Sequence, residues 1–111
     1  MKKRIVYKWC LIASLLLNAL NMYPYDFKVD GFYYNKLSGT EVEITYGGGK
    51  YLSTPEYEGD LTIPSQISYQ GNEYNVKSIG EYAFFACNNL YSIIIPNSII
   101  SIKQYAFHGC I

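Results

Sequence analysis

Histidine occurs once in this 111-residue sequence, as His108, and cysteine three times, as Cys10, Cys87 and Cys110. A zinc centre takes about three or four His, Cys or carboxylate ligands. Only Cys110 stands near the single histidine, so neither a zinc site nor a catalytic triad assembles from these residues. Two cysteines beyond residue 22 make no disulfide scaffold, and stability has to come from packing. Positive charge is also scarce. Lys2, Lys3, Arg4 and Lys8 precede the first acid, Asp26, and the remainder holds five basic residues against nine acidic ones, a net of −4. Nucleic acid, which needs a basic face against its phosphates, is excluded as a partner. A long apolar run is missing too. The nine residues WCLIASLLL (Trp9 to Leu17) fall short of the roughly 20 that cross a bilayer.

What stands at the N-terminus instead is a secretory pattern. MKKR is a positive n-region, WCLIASLLL an apolar h-region, and Asn18, Asn21 and Pro24 break the run. Residues 1–22 are read as a signal peptide, which places the protein outside the cell, secreted or on the surface. An uncleaved anchor is the alternative, and membrane contact would then pass through this segment alone. Cys10 follows Tyr7, Lys8 and Trp9 rather than a small apolar lipobox.

Thirteen tyrosines favour extended, half-buried chain. YDFKVDGFYYNKL (Tyr25 to Leu37) reads as two strands around an Asp30-Gly31 turn, because Asp-Gly tolerates the positive φ of a tight hairpin. In EVEITY (Glu41 to Tyr46), Val42, Ile44 and Tyr46 alternate with Glu41, Glu43 and Thr45, a strand with one wet face. Gly47-Gly48-Gly49 ends it. Lacking the Walker spacing and the Ser or Thr after Lys50, this stretch is a turn and no phosphate loop. Residues 23–60 are assigned as a hairpin cap ending in the loop STPEYEGD.

From residue 61 the pattern becomes a repeat. VKSIGEYAFFAC (Val76 to Cys87) aligns with IISIKQYAFHGC (Ile99 to Cys110) at an offset of 23, and LTIPSQI (Leu61 to Ile67) aligns with IIIPNSI (Ile93 to Ile99) at 32. The difference lies in SYQGNEYN (Ser68 to Asn75), a small hairpin inserted around Gly71-Asn72. Such a period, within about 20 to 29 residues, marks a leucine-rich-repeat solenoid. One coil cannot bury its own apolar side, and the next coil supplies the missing half. Leu90, Ile93 and Ile95 take the inward positions of a short parallel strand, one per coil, that Pro96 ends. Ile99, Ile102, Ala106, Phe107 and Cys110 fill the return path. Ile63, Ile79, Ala83, Phe84 and Cys87 complete this core. Asp60, Thr62, Tyr91, Ser92 and Ile94 are left for a partner-facing surface.

The string L-x-x-I-x-I-P-x-x-I-x-x-I-x-x-Y-A-F-x-x-C from Leu90 to Cys110 resembles the BspA-type leucine-rich repeat of bacterial surface proteins. YDFKVDGFYYN resembles the region that often precedes such arrays. The resemblance implies a β-rich solenoid over residues 61–111, behind an antiparallel hairpin cap. It further implies a non-catalytic module that binds an extracellular protein or glycan, with no cofactor. A fragment without independent function and a metal-dependent hydrolase are the competing readings.

Local chemistry agrees with the repeat. His108 replaces Phe85 of the preceding unit, which marks a variable surface position. Cys87 and Cys110 share one inward slot in coils about 4.8 Å apart. A disulfide fits that spacing, though stacked buried thiols fit the repeated apolar slot better. Glu56, Glu58 and Asp60 alternate, but they lack the oxygens of a calcium loop and read as a solvated segment. Tyr33, Tyr34, Tyr51, Tyr57, Tyr69, Tyr74 and Tyr91 are too many for one core, and recognition or packing are both open for them. Ile102 and Phe107 face an uncapped last coil, so the chain is expected to be marginally stable or to self-associate there.

Overall fold

The computed structural model describes residues 24–48 and 57–110. The signal-peptide reading, Tyr51 and Glu56 lie outside them. The first hairpin joins β1 (Phe27–Val29) to β2 (Phe32–Lys36), with Phe27 opposite Tyr34. Its turn places Asp30 at φ 48° and Gly31 at φ 88°, the two positive angles that a two-residue turn requires. β3 (Glu41–Thr45) pairs antiparallel with β2, and Val42 and Ile44 are fully buried. The expected alternation fails at Thr45, which is buried rather than wet. The hydroxyl of Tyr57 reaches in and donates to the Thr45 carbonyl at 2.7 Å.

A second hairpin follows the short strand β4 (Gly59–Thr62). β5 (Gln66–Tyr69) and β6 (Asn72–Ile79) turn on Gln70 and Gly71, at φ 50° and 79°. The turn thus sits one residue earlier than the Gly71-Asn72 centre read from the sequence. Glycine takes the second positive-φ position, and Asn72 already pairs with Tyr69 as the first residue of β6.

β6 joins the two halves of the molecule. Its first residues pair antiparallel with β5. Beyond Asn75 it runs parallel to β3 on one side and to β8 (Ser101–Ile102) on the other. The strand order is β1-β2-β3-β6-β5, yet Phe27 of β1 stacks on Tyr69 of β5 with centroids 4.2 Å apart. The sheet therefore coils until its outer strands meet, with Tyr34 and Tyr74 enclosed.

β4 pairs in parallel with β7 (Leu90–Ile94) as a separate two-stranded sheet. Each coil hence carries two short strands, where the sequence reading expected one. V-K-S-I and I-I-S-I, read as a return path, also stack at the 23-residue offset and form a ladder. Amides cross from coil to coil at the Y-A-F corner as well: Phe84 N–H donates to the Ala106 carbonyl (2.7 Å) and Ala86 N–H to that of His108 (2.8 Å). The corners repeat down to their backbone angles. Tyr82 and Tyr105 both lie at φ 61°, and Ala86 (57°) corresponds to Gly109 (80°).

Six expected core residues, Ile63, Ile79, Ala83, Phe84, Cys87 and Ala106, are buried, and Leu90, Ile93, Ile99, Phe107 and Cys110 pack partly buried against them. Ile95 and Ile102 do not belong to this core, being 38% and 53% exposed. Both lie on the last coil, on whose outer side no described residue stacks. Cys87 is buried and Cys110 half-buried, and Cys110 donates to the Phe84 carbonyl of the neighbouring coil.

Besides the β3/β6 ladder, close backbone and side-chain contacts tie the cap to the coils. Gly80 N–H donates to the Ile44 carbonyl at 2.7 Å, and a β-carbon at residue 80 would lie 2.7 Å from that same oxygen. Only glycine allows so close an approach. Glu43 accepts a hydrogen bond from Ser78 of the first coil and pairs with Lys103 of the second. This ion pair is half exposed and contributes little by itself.

Two tyrosines separate a structural hydroxyl from an idle one. The Tyr57 hydroxyl accepts from Tyr33 N–H (3.0 Å) and donates to Thr45, whereas the buried Tyr34 hydroxyl has no partner among the described residues. Tyr57→Phe should therefore cost about 1–3 kcal/mol, and Tyr34→Phe should be neutral or slightly stabilising, as read from urea midpoints. At the corners, Ala86→Gly relieves a left-handed alanine and should raise stability by up to about 1 kcal/mol, while Gly109→Ala should lower it by at least as much. Equal melting of these last two variants would show that the corner angles carry no strain.

Candidate recognition surface

The exposed side of the β4/β7 sheet collects all five residues read as partner-facing. Asp60 lies opposite Ser92 and Thr62 opposite Ile94, and all four are exposed. Ser92 Oγ donates to Asp60 Oδ1 at 2.6 Å, which ties the two strands together on the solvent side. The register explains the fifth residue. Gly59 faces Leu90 but Asp60 faces Ser92, so Tyr91 is the extra residue of a β-bulge. Bulges re-aim a side chain, and Tyr91 is turned out to 81% exposure. Sequence reasoning placed Tyr91 on this face without seeing the cause. The signal was present, since Leu90 and Ile93 both turn inward although three residues apart, which a regular two-residue alternation forbids.

Beside Tyr91 an open groove is lined by Glu58, Gly59 and Asn89. Asn89 went unnoticed in the sequence because no motif marks it. It sits one residue before β7, and its carbonyl accepts from Gly59 N–H at 2.7 Å, which holds the start of β4 against the next coil. Glu58 and Asp60 are both exposed. Among the described residues no group of three or more His, Cys, Asp or Glu side chains is placed to hold a metal ion.

The other tyrosines divide on geometry. Tyr34, Tyr57 and Tyr74 are buried, Tyr33 and Tyr69 half-buried, and only Tyr91 of the described candidates offers its ring to solvent. The buried rings fill the coiled sheet, where Tyr57 packs against Phe32 and Phe84. Burial pushes the Tyr34 and Tyr57 hydroxyls well above the ordinary tyrosine range, so both stay protonated. Neither supplies a tyrosinate base.

His108 belongs to a stack. Three aromatic lanes run between the two coils at the 23-residue offset: Tyr82 on Tyr105, Phe84 on Phe107, and Phe85 on His108. Phe84 and Phe107 lie within 4° of parallel at 5.1 Å, and Phe85 and His108 within 9° at 5.7 Å. The imidazole takes the lane that a phenyl ring holds one coil earlier. Flat, apolar stacking is the role common to both.

Residues 60–111 match the family described as the BspA type leucine-rich repeat region. The chain's repeats are BspA-type leucine-rich repeats. Three solved structures carry the likeness beyond the repeats. A leucine-rich repeat protein from Bacteroides ovatus is 35% identical, with a TM-score of 0.62 over 78% of this chain and 21% of its own. A second, from Bacteroides capillosus, is 28% identical (TM-score 0.58, 76% of this chain, 58% of that one). A leucine-rich cell surface protein from Faecalibacterium prausnitzii is 25% identical (TM-score 0.63, 78% and 21%). The chain thus spans between about a fifth and three fifths of these relatives. No curated protein matches it.

Within the BspA-type coils the tyrosine-to-cysteine corner is a structural device, and this sets an expectation for His108. His108→Phe extends the lane of Phe85 and should change stability by less than about 0.5 kcal/mol, the usual range for a surface substitution. Thermal melts with and without added zinc would check it, and a zinc-dependent rise in the parent that is lost in the variant would contradict the stacking role.

Proposed function

We propose that this chain is a secreted or cell-surface interaction module that binds an extracellular protein or glycan through the exposed face of β4 and β7. The observation that carries the reading is the bulge that presents Tyr91 beside the polar row Asp60, Thr62 and Ser92 and the apolar Ile94. Tyrosine gives a large contact area at small entropic cost and is enriched where proteins meet partners. The repeat family supports the coarser part, a repeat module whose flat strand surface is available for binding. The leader pattern MKKR-WCLIASLLL supports export. No catalytic role is assigned to any residue, and the sole histidine is committed to an aromatic stack.

The experiment is a binding screen of the chain against immobilised extracellular-matrix proteins and a glycan array, repeated with Tyr91→Ala and Asp60→Ala. Tyr91→Ala should weaken any specific binding by about 30-fold, the effect of losing a central aromatic anchor. Its melting temperature should stay that of the parent, because the ring touches little of the core. Binding that survives both substitutions would place the contact elsewhere and reject this face.

A further inference from the structure

The β4/β7 face carries negative charge and no cation. Between Tyr57 and Ile102 the sequence holds four acids, Glu58, Asp60, Glu73 and Glu81, against a single base, Lys77. Lys77 belongs to β6, in the other sheet. Glu58 and Asp60 therefore meet no Lys, Arg or His among the described residues, where the one ion pair joins Lys103 to Glu43. Tyr91 is a second and independent observation. Lysines already sit over two tyrosine rings in this fold, Lys28 over Tyr33 at 4.9 Å and Lys36 over Tyr74 at 5.8 Å. Tyr91, turned out by the bulge, carries no cation over its ring among the described residues. The groove beside it is floored by Gly59, with open space where a β-carbon would stand.

We propose that the partner of this face is a basic protein segment, docked in extended form with an arginine or lysine over Tyr91 and its charge answered by Glu58 and Asp60, which rests on the reading of this face as the binding surface. Charge complementarity decides between partners. A neutral one would strip water from two carboxylates and return no charge. An anionic one, a sulfated or sialylated glycan included, would be repelled. Arginine suits both features, because its guanidinium stacks flat on an aromatic ring and pairs with a carboxylate through two parallel N–H groups. Ser92 occupies Oδ1 of Asp60 and leaves Oδ2 to the partner. Asn89 can offer its side-chain amide to the partner's backbone.

Fluorescence anisotropy of the full chain with a labelled alternating Gly-Arg peptide tests this, with alternating Gly-Gln and Gly-Glu peptides as neutral and acidic probes. The Gly-Arg peptide should bind and the other two should not. Raising salt from about 20 to 150 mM should weaken it several-fold. Tyr91→Ala, and Glu58→Gln combined with Asp60→Asn, should each weaken it by about tenfold or more. Asparagine keeps the oxygen to which Ser92 donates, so the circular dichroism spectrum should not change. Glu73→Gln with Glu81→Gln removes the same charge outside β4 and β7 and should leave binding within about twofold. Three outcomes overturn the inference: no binding of the Gly-Arg peptide, equal loss in the two charge pairs, or binding indifferent to Tyr91→Ala. The glycan array separates this from the broader reading. A neutral glycan held through Tyr91 but indifferent to Glu58→Gln with Asp60→Asn would keep the face and overturn the basic partner.

Discussion

Everything in this molecule depends on one constraint: a single coil cannot cover its own apolar side. Leu90, Ile93, Ile99 and Phe107 pack against a core that includes Ile63, Ile79 and Phe84 of the preceding coil, and Phe107 stacks on Phe84. The contact between coils is therefore at once the core and the backbone ladder. The β6/β8 ladder, the amides crossing at the Y-A-F corner and the three lanes of stacked rings share the 23-residue step. The β4/β7 ladder on the other side runs at 32 because the inserted hairpin lies between. The first coil faces the same problem on its other side, and the hairpin region solves it. β3 lies along β6 as a coil would, with Val42 and Ile44 filling the positions that a preceding repeat would fill. The carbonyl of Ile44 against Gly80 shows how closely the two are fitted.

This arrangement separates support from display. The larger sheet, with its coiled interior of tyrosine and phenylalanine, spends its rings on packing. The small β4/β7 sheet has one face on the core and one in water, and a bulge in it turns out a single aromatic. A feature that interrupts the ladder at Tyr91 costs some regularity in pairing. The β3/β6 ladder also shifts register, between Val42 and Glu43, but the shift in β4/β7 is the one that turns an aromatic out to solvent.

Much of the fold was legible because local rules and the repeat agree. The Asp30-Gly31 turn, the alternation through Ile44, the inserted hairpin and the shared inward slots of Cys87 and Cys110 follow from turn chemistry and period. The departures have particular causes. The second hairpin turns at Gln70-Gly71 because register against Tyr69 outweighs the preference of Asn72 for a turn. Thr45 is buried because a tyrosine twelve residues away caps its carbonyl. Composition leaves Tyr34, Tyr57 and Tyr74 open between recognition and packing, because it does not say how far a sheet will coil.

For the candidate site the division is sharper. Asp60, Thr62, Ser92 and Ile94 could be placed on one face from alternation alone, since neighbours in a strand point to opposite sides. The sequence by itself determined the repeat, its 23-residue step, most of the inward positions, and His108 as the variable counterpart of Phe85. These are periodic properties, and a period is visible along a chain. The tertiary structure alone decided the bulge that exposes Tyr91, the closing of the sheet on Phe27 and Tyr69, and the reach of Glu43 across to Lys103. Each depends on register between segments far apart in sequence, and register is set by packing in three dimensions.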